Sequence, residues 1–292
     1  MSFYSGTWNF DNFRILTRIR RKRSCERVSI TQFFDRKVVE DLKYPNTEFV
    51  RAFFIPKQTF GQIKKSHDMR VVQKHGVKGS VKDIQLLINK NVMLINKRIK
   101  TNLREFATDE IIWMSPKEDD DFAEYRDDDF LIKVGLNPGE IQLHEFWPIR
   151  GPLWDALAKT DTGKVILVEA KAHIPEIVSE PTKAHDQSKL LILKSLRETK
   201  QFMEITDKVS WAGKFYQYTN RLSHLYFLRE KHNKDVFLVN IYFMGDKTVS
   251  GPKTRQEWDS ALKVLKTYLG ISKNKLSKYM TEIFIDVNEL IQ

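Results

Sequence analysis

The fold is decided by residues 151–176, which read GPLWDALAKTDTGKVILVEAKAHIPE. Two runs of strand-forming residues flank the turn-forming trio DTG at 161–163, and this pattern predicts a β-hairpin. If the turn is centred on Thr162, residues equally far from it on the two strands become antiparallel partners. Asp155 and Glu169 form such a pair, so we expect the hairpin to bring two carboxylates opposite each other.

A third charged side chain shares this face of the predicted hairpin. Side chains alternate along a strand, so Lys171 emerges beside Glu169 while Ala170 points to the opposite face. Two carboxylates on neighbouring strands, helped by the backbone carbonyl of Ala170, suit Mg²⁺ or Mn²⁺. Such a metal activates water and neutralises a phosphodiester, and Lys171 can orient that water. The simpler alternative is an exposed ion pair between Glu169 and Lys171, contributing about 0 to 1 kcal/mol.

The elements around the hairpin follow an α/β order. An acidic segment at 117–129 leads into a predicted helix that ends at Asn137. After the hairpin, apolar periodicity predicts helices at 186–205, 211–229 and 255–269, a buried strand at 236–244 and a final strand at 282–287. From residue 118 onward, this order predicts an α/β layer arrangement.

Positive charge is concentrated in the first part of the 292-residue chain. Residues 1–115 contain 23 Lys/Arg and 11 Asp/Glu, a balance of +12, whereas residues 116–292 contain 26 and 27, a balance of −1. We therefore predict a basic, mostly helical region at 1–115 and a second domain at 116–292. The basic region includes a single amphipathic helix over 81–106. Its charge favours nucleic acid as partner, although basic residues can also simply solvate a helical surface.

Composition argues against a membrane or secreted protein. The longest apolar runs are far too short to span a bilayer, and the first residues, MSFYSGTWNF, lack a secretory signal pattern. Cys25 is the only cysteine, which agrees with a reducing, cytoplasmic setting. A homodimer is compatible with the sequence, which leaves the oligomeric state open.

The order of elements, together with Asp155 and Glu169-Ala170-Lys171, resembles the PD-(D/E)XK nuclease superfamily. The resemblance implies the restriction-endonuclease-like fold, a mixed central sheet flanked by helices. The resemblance covers residues 118–292, with its core at 146–246. It implies a Mg²⁺- or Mn²⁺-dependent endonuclease that hydrolyses nucleic-acid phosphodiester bonds, with DNA favoured over RNA. Asp155 and Glu169 would be metal ligands and Lys171 the catalytic lysine. The sequence departs from the family pattern at Trp154, where a proline conventionally stands.

Family members often add an acidic residue from the first core helix. Glu124 is our candidate for this extra metal ligand, while Asp121 and Asp128 serve equally well on spacing. The helix after the lysine strand often supplies polar side chains near the site, and Gln217 and Arg221 share one helical face. We expect them to touch substrate phosphate or to brace the metal ligands, unless they are only a hydrogen-bonded helix face.

One further side chain and two other functions remain open. His173 lies two positions beyond Lys171 and so on the same face, where it could approach phosphate or be an ordinary strand-end histidine. Instead of a nuclease, the chain could be a catalytically inactive nucleic-acid-binding module with a nuclease-like fold. It could also be a basic regulatory or structural protein whose α/β domain binds another protein.

Overall fold

The computed structural model describes residues 70–291 and three short strands before them, at 13–16, 31–32 and 53–56. The chain forms two compact units, residues 1–67 and residues 68–292. Within the first unit, the described segments are β1 (Phe13–Leu16), β2 (Thr31–Gln32) and β3 (Phe53–Pro56). They form an antiparallel sheet in the order β2-β1-β3.

These strands differ from the mostly helical region predicted for residues 1–115. The segments FRIL and FFIP of β1 and β3 are rich in phenylalanine and isoleucine, which favour strands once a partner strand is available. Pairing along the whole of β1 and β3 supplies that partner, which periodicity within one segment cannot reveal. The other residues of the first unit, including Cys25, lie outside the described residues.

The second unit is a mixed α/β structure around one five-stranded sheet. Its helices are α1 (Gly79–Lys90), α2 (Val92–Asn102), α3 (Asp127–Lys133), α4 (Pro138–Ile141), α5 (Asp186–Phe202), α6 (Tyr216–Tyr226) and α7 (Arg255–Tyr268). Its strands are β4 (Arg70–Val71), β5 (Ile111–Ser115), β6 (Glu124–Tyr125), β7 (Ala156–Thr160), β8 (Val165–Lys171), β9 (Val236–Met244) and β10 (Met280–Asp286). The main sheet has the order β10-β9-β8-β7-β5, and β4 pairs with β6 separately. Strands β8, β9 and β10 are parallel, whereas β7 and β5 join antiparallel.

The predicted hairpin is confirmed as β7 and β8, with the predicted register. Ala156 pairs with Val168 and Lys159 with Val165, so the two residues of each pair lie the same number of positions from Thr162. Gly163 closes the turn with φ of +87°, a conformation that glycine adopts without steric cost.

Helices cover both faces of the sheet, and the alternating side chains of β8 enter two separate cores. Val165 and Leu167 pack with α3, α5, α6 and α7, while Ile166, Val168 and Ala170 pack with α1 and α2. Continuing the alternation, the side chains of Glu169 and Lys171 emerge on the face covered by α5, α6 and α7.

Helices α1 and α2, which lie in the basic region predicted at 1–115, belong to the unit with the five-stranded sheet. The structure therefore divides the chain at 67/68, whereas the sequence predicted a division at 115/116. Ile84 and Ile88 of α1 and Ile95 and Ile99 of α2 are buried against the sheet, and β5 is its edge strand. Apolar burial determines where these helices pack, and their surface charge does not oppose it.

The single helix predicted at 81–106 is wrong, because the structure divides it at Asn91. Asn91 leaves the helical conformation, with φ of −135° and ψ of 49°. Its side-chain Nδ2 donates to the carbonyl oxygen of Glu289 at 2.7 Å, a tertiary contact that the sequence does not reveal. No helix in residues 70–291 is long and apolar enough to cross a membrane.

Candidate functional site

The carboxylate of Glu169 is the centre of a buried charged cluster on the sheet. Lys171 Nζ forms an ion pair with its Oε1, and Arg221 Nε, from α6, donates to its Oε2 at 2.6 Å. Burial alone would raise the pKa of Glu169, but Arg221 and then Lys171 hold it below its ordinary value. Glu169 therefore stays ionised although only 5% of its surface is exposed.

Asp155 is the second acid of the cluster. It directly precedes β7, and extending the hairpin register by one residue from the Ala156–Val168 pair makes Glu169 its partner. The backbone N–H of Ala170 donates to Asp155 Oδ2 at 2.7 Å. Burial, followed by repulsion from Glu169, raises the pKa of Asp155 to about 7. The structure thus brings together the two acids that the sequence paired.

Glu124 is the third acid, and it lies on the short strand β6 instead of the predicted helix. An antiparallel bridge between Tyr125 and Trp154 joins β6 to the chain before β7, which brings Glu124 into line with Asp155. Gln73 Nε2 donates to Glu124 Oε2 at 2.9 Å. Burial, followed by repulsion from Asp155, raises the pKa of Glu124 to about 8.

The predicted helix fails at this point because the chain turns before it. Asp121 and Phe122 both have φ of +50°, a left-handed conformation that interrupts a right-handed helix. Helix α3 begins only at Asp127. Of the two alternative acids, Asp121 forms an ion pair with Arg70, and Asp128 lies 3.4 Å from His144. Glu124 is instead the acid that Asp155 repels.

The polar residues expected near substrate take different positions. Arg221 braces Glu169, which is one of the two alternatives that its helical position left open. Gln217 lines a cavity of about 20 Å³ that Glu169 and Lys171 also line. His173 Nδ1 lies 2.7 Å from Glu176 Oε1, on the helical turn that follows β8, so its near partner is this glutamate.

Arg221 also contacts the two residues that precede Asp155. Its Nη2 donates to the carbonyl oxygen of Leu153 at 2.7 Å, and its guanidinium lies 4.9 Å from the ring centre of Trp154. His224 packs edge-on against Trp154 and is fully buried. Burial lowers the pKa of His224 to about 3, so it is neutral and adds no charge to the cluster.

The donor chemistry of the three acids suits a hard divalent cation. Asp155 and Glu124 each keep one carboxylate oxygen outside the hydrogen bonds described above. Mg²⁺ commonly takes one or two protein carboxylates and fills its remaining positions with water and phosphate oxygen. Both oxygens of Glu169 contact cationic side chains, and across residues 70–291 no three His, Cys, Asp or Glu side chains are arranged to hold one metal together. Asp155 and Glu124, which each have a free carboxylate oxygen, are therefore the residues that could hold a metal without breaking an ion pair.

No protein-family model matches the chain, and no curated protein or solved structure matches it. What the site can do follows from its own side chains.

The sequence did not predict two residues of the site. Gln73 precedes the first clear periodicity and has no local signal, whereas Asn240 is the one amide in the apolar strand VFLVNIYFM and was visible on that ground.

The raised pKa values of Asp155 and Glu124 predict that these two acids destabilise the metal-free protein as pH rises. Both acids bind protons more tightly in the folded state than in the unfolded state, where an aspartate titrates near pH 4. The contribution of these two acids to stability should therefore fall from about pH 4 to about pH 8 and stay low above that range. We expect Asp155→Asn to gain stability relative to wild type as the pH rises, by roughly 3 kcal/mol more at about pH 9 than at about pH 5.

Urea unfolding of both proteins in the presence of a chelator measures this difference. Asp119→Asn is the matched control, because Asp119 is an exposed acid outside the cluster. Equal stability of wild type and Asp155→Asn at both pH values would show that Asp155 carries no unfavourable charge.

Proposed function

We propose that this protein is a metal-dependent nuclease of the PD-(D/E)XK type that hydrolyses nucleic-acid phosphodiester bonds, with DNA favoured over RNA. The observation that carries the proposal is the convergence of Asp155, Glu169 and Lys171 on one face of a mixed sheet, with Glu124 beside them. Burial and mutual repulsion raise the pKa of Asp155 and Glu124, which favours the binding of a cation, and Lys171 supplies a positive charge beside them.

Each side chain of the cluster has a separate role in the proposed reaction. Glu169 holds Lys171 Nζ, so the ammonium group faces the acids instead of turning to solvent. Burial alone would lower the pKa of Lys171, but Glu169 and then Asp155 raise it above its ordinary value. The charged lysine can therefore orient the attacking water and stabilise the extra negative charge that develops on the phosphate.

Asp155 and Glu124 would hold Mg²⁺ or Mn²⁺, and Glu169 would join them after exchanging one of its cationic partners. When bound, the metal lowers the pKa of a water and offsets the phosphate charge. Arg221 keeps Glu169 in position, since its guanidinium is tied to the Leu153 carbonyl as well as to the carboxylate.

The direct test is cleavage of labelled DNA and RNA by the purified chain. We expect nicking or degradation with Mg²⁺ or Mn²⁺, no reaction with a chelator, and recovery when the metal is added back. Duplex and single-stranded forms of one sequence, in DNA and in RNA, identify the preferred substrate. No metal-dependent cleavage of any of these four substrates would refute the proposal.

A second candidate is a catalytically inactive nucleic-acid-binding module, which one observation favours. Lys171 and Arg221 already neutralise both oxygens of Glu169, so the cluster can be stable without a metal. In that case the chain binds nucleic acid without cleaving it, and adding Mg²⁺ leaves its thermal stability unchanged.

We also propose that residues 1–67 strengthen nucleic-acid binding by their charge. They contain 14 Lys/Arg and 6 Asp/Glu, a balance of +8, against +3 for residues 68–292, which contain 35 and 32. Removing residues 1–67 should weaken duplex binding and flatten the plot of log affinity against log salt, by about 0.9 for each phosphate that the shortened chain no longer neutralises.

Fluorescence anisotropy at several salt concentrations, with a chelator present, measures this slope. A full-length control tests charge separately from chain length, with glutamine replacing Arg18, Arg20, Arg21 and Arg23. The slope of this control should lie between the slopes of wild type and the shortened chain. An unchanged slope after removal of residues 1–67 would exclude this role.

A further inference from the structure

An amide side chain lies where strand β9 passes the charged cluster. Asn240 is the Cα partner of Glu169 across the parallel β8–β9 pair, so both side chains emerge on the same face of the sheet. Only 1% of its surface is exposed, and its neighbours along the strand are apolar. A polar group buried this deeply costs free energy unless it is hydrogen-bonded.

The side-chain nitrogen of Asn240 has no such partner in the part of the protein that the structure describes. Among the described residues, no atom accepts a hydrogen bond from its Nδ2. The amide instead lines the cavity of about 20 Å³ that Glu169, Lys171 and Arg221 also line. This volume suits one water molecule, which needs at least about 10 to 15 Å³ and two to four polar partners. Among the side chains that line it, Asn240 and Lys171 carry N–H donors and Glu169 carries acceptor oxygens.

We propose that Asn240 is a positioning residue, which holds one buried water against Lys171 and Glu169 and thereby fixes the direction of the lysine ammonium group. The catalytic consequence rests on the proposed nuclease function, whereas the water site does not. The lysine side chain has four rotatable bonds and three N–H donors. Its ion pair with Glu169 uses one donor. A water held by Asn240 engages a second donor, so the third is directed to one side.

Substitution separates a structural amide from a positioning amide, because loss of a structural amide would change thermal stability and not kcat. Leucine has a similar size and no polar atom, so it fills the position of the amide and brings no unpaired polar group of its own. Asn240→Leu should therefore still unfold cooperatively while excluding the water. If Asn240 positions Lys171, the same variant should lose about tenfold in kcat with KM unchanged, the equivalent of one hydrogen bond.

Crystal structures of wild type and Asn240→Leu, at a resolution that shows ordered water, provide the first measurement. We expect one water bonded to Asn240 Nδ2 in wild type, and a Lys171 side chain with more than one orientation in the variant. Kinetics with Mg²⁺ provide the second measurement. Leu265→Met is the matched control, because Leu265 lines the same cavity without a hydrogen-bonding group. It should keep the wild-type kcat.

Each result has a distinct meaning. A dry cavity in wild type overturns the water site, and a single unchanged Lys171 orientation in Asn240→Leu overturns the positioning role. An unchanged kcat in an active Asn240→Leu enzyme also overturns that role. If the wild type cleaves no nucleic acid, the proposed nuclease function fails, while the two crystal structures still decide whether Asn240 holds the water and the lysine.

Discussion

Replacing Lys171 by methionine is expected to reduce metal-dependent cleavage by about a thousandfold, the scale of losing one preorganised charge in an active site. Methionine keeps most of the length of the lysine stem and removes its ammonium group. Nucleic-acid affinity should change by no more than about twofold, because only 12% of the Lys171 side chain is exposed. The chemical step should therefore be lost without the binding step. Single-turnover cleavage and anisotropy binding measure the two separately.

Lys159→Met is the matched control for this substitution. Lys159 lies on β7, near the turn of the same hairpin and away from Glu169, so its loss removes equal charge without touching the cluster. It should cleave at the wild-type rate. Thermal unfolding of both variants checks that each is folded, since Arg221 still pairs with Glu169 when Lys171 is absent. Cleavage by a folded Lys171→Met protein at the wild-type rate would remove Lys171 from the mechanism.

The hairpin and its acids could be predicted because local chemistry determines them. A turn trio with glycine at its third position sets the register, and strand alternation then assigns Glu169 and Lys171 to one face. The long strand β9 and the helices α5 and α7 also begin where the sequence predicted, at residues 236, 186 and 255. Each of these elements has a strong apolar pattern, and α7 also has Thr254 as a side-chain cap.

The parts that the sequence did not predict depend on contacts between distant residues. The break at Asn91 needs the carbonyl of Glu289, which lies 198 positions later. Glu124 reaches Asp155 through a strand bridge and not through helical spacing. The division of the chain at 67/68 depends on which apolar face α1 and α2 cover, and a count of charges contains no information about that face.

The same packing predicts that residues 116–292 cannot fold alone, although they contain the complete acid–lysine cluster. Without α1, α2 and β5, one face of β7, β8 and β9 would be exposed. The missing segment would include five large side chains at 0 to 2% exposure: Ile84, Ile88, Ile95, Ile99 and Phe106. Burying each contributes about 1.5 to 3 kcal/mol, so together they are worth on the order of 10 kcal/mol. That equals the whole stability of an ordinary domain.

Residues 68–292 are the matched comparison, because this shorter chain keeps both cores of the sheet. It should unfold cooperatively in urea, whereas the chain of residues 116–292 should show no cooperative transition and should bind a hydrophobic dye. A cooperative transition for residues 116–292 would mean that α1, α2 and β5 are dispensable for the sheet. Cleavage by residues 68–292 alone would locate the chemistry in this unit. The unit contains Glu124, Asp155 and Glu169, together with Gln73, which donates to Glu124.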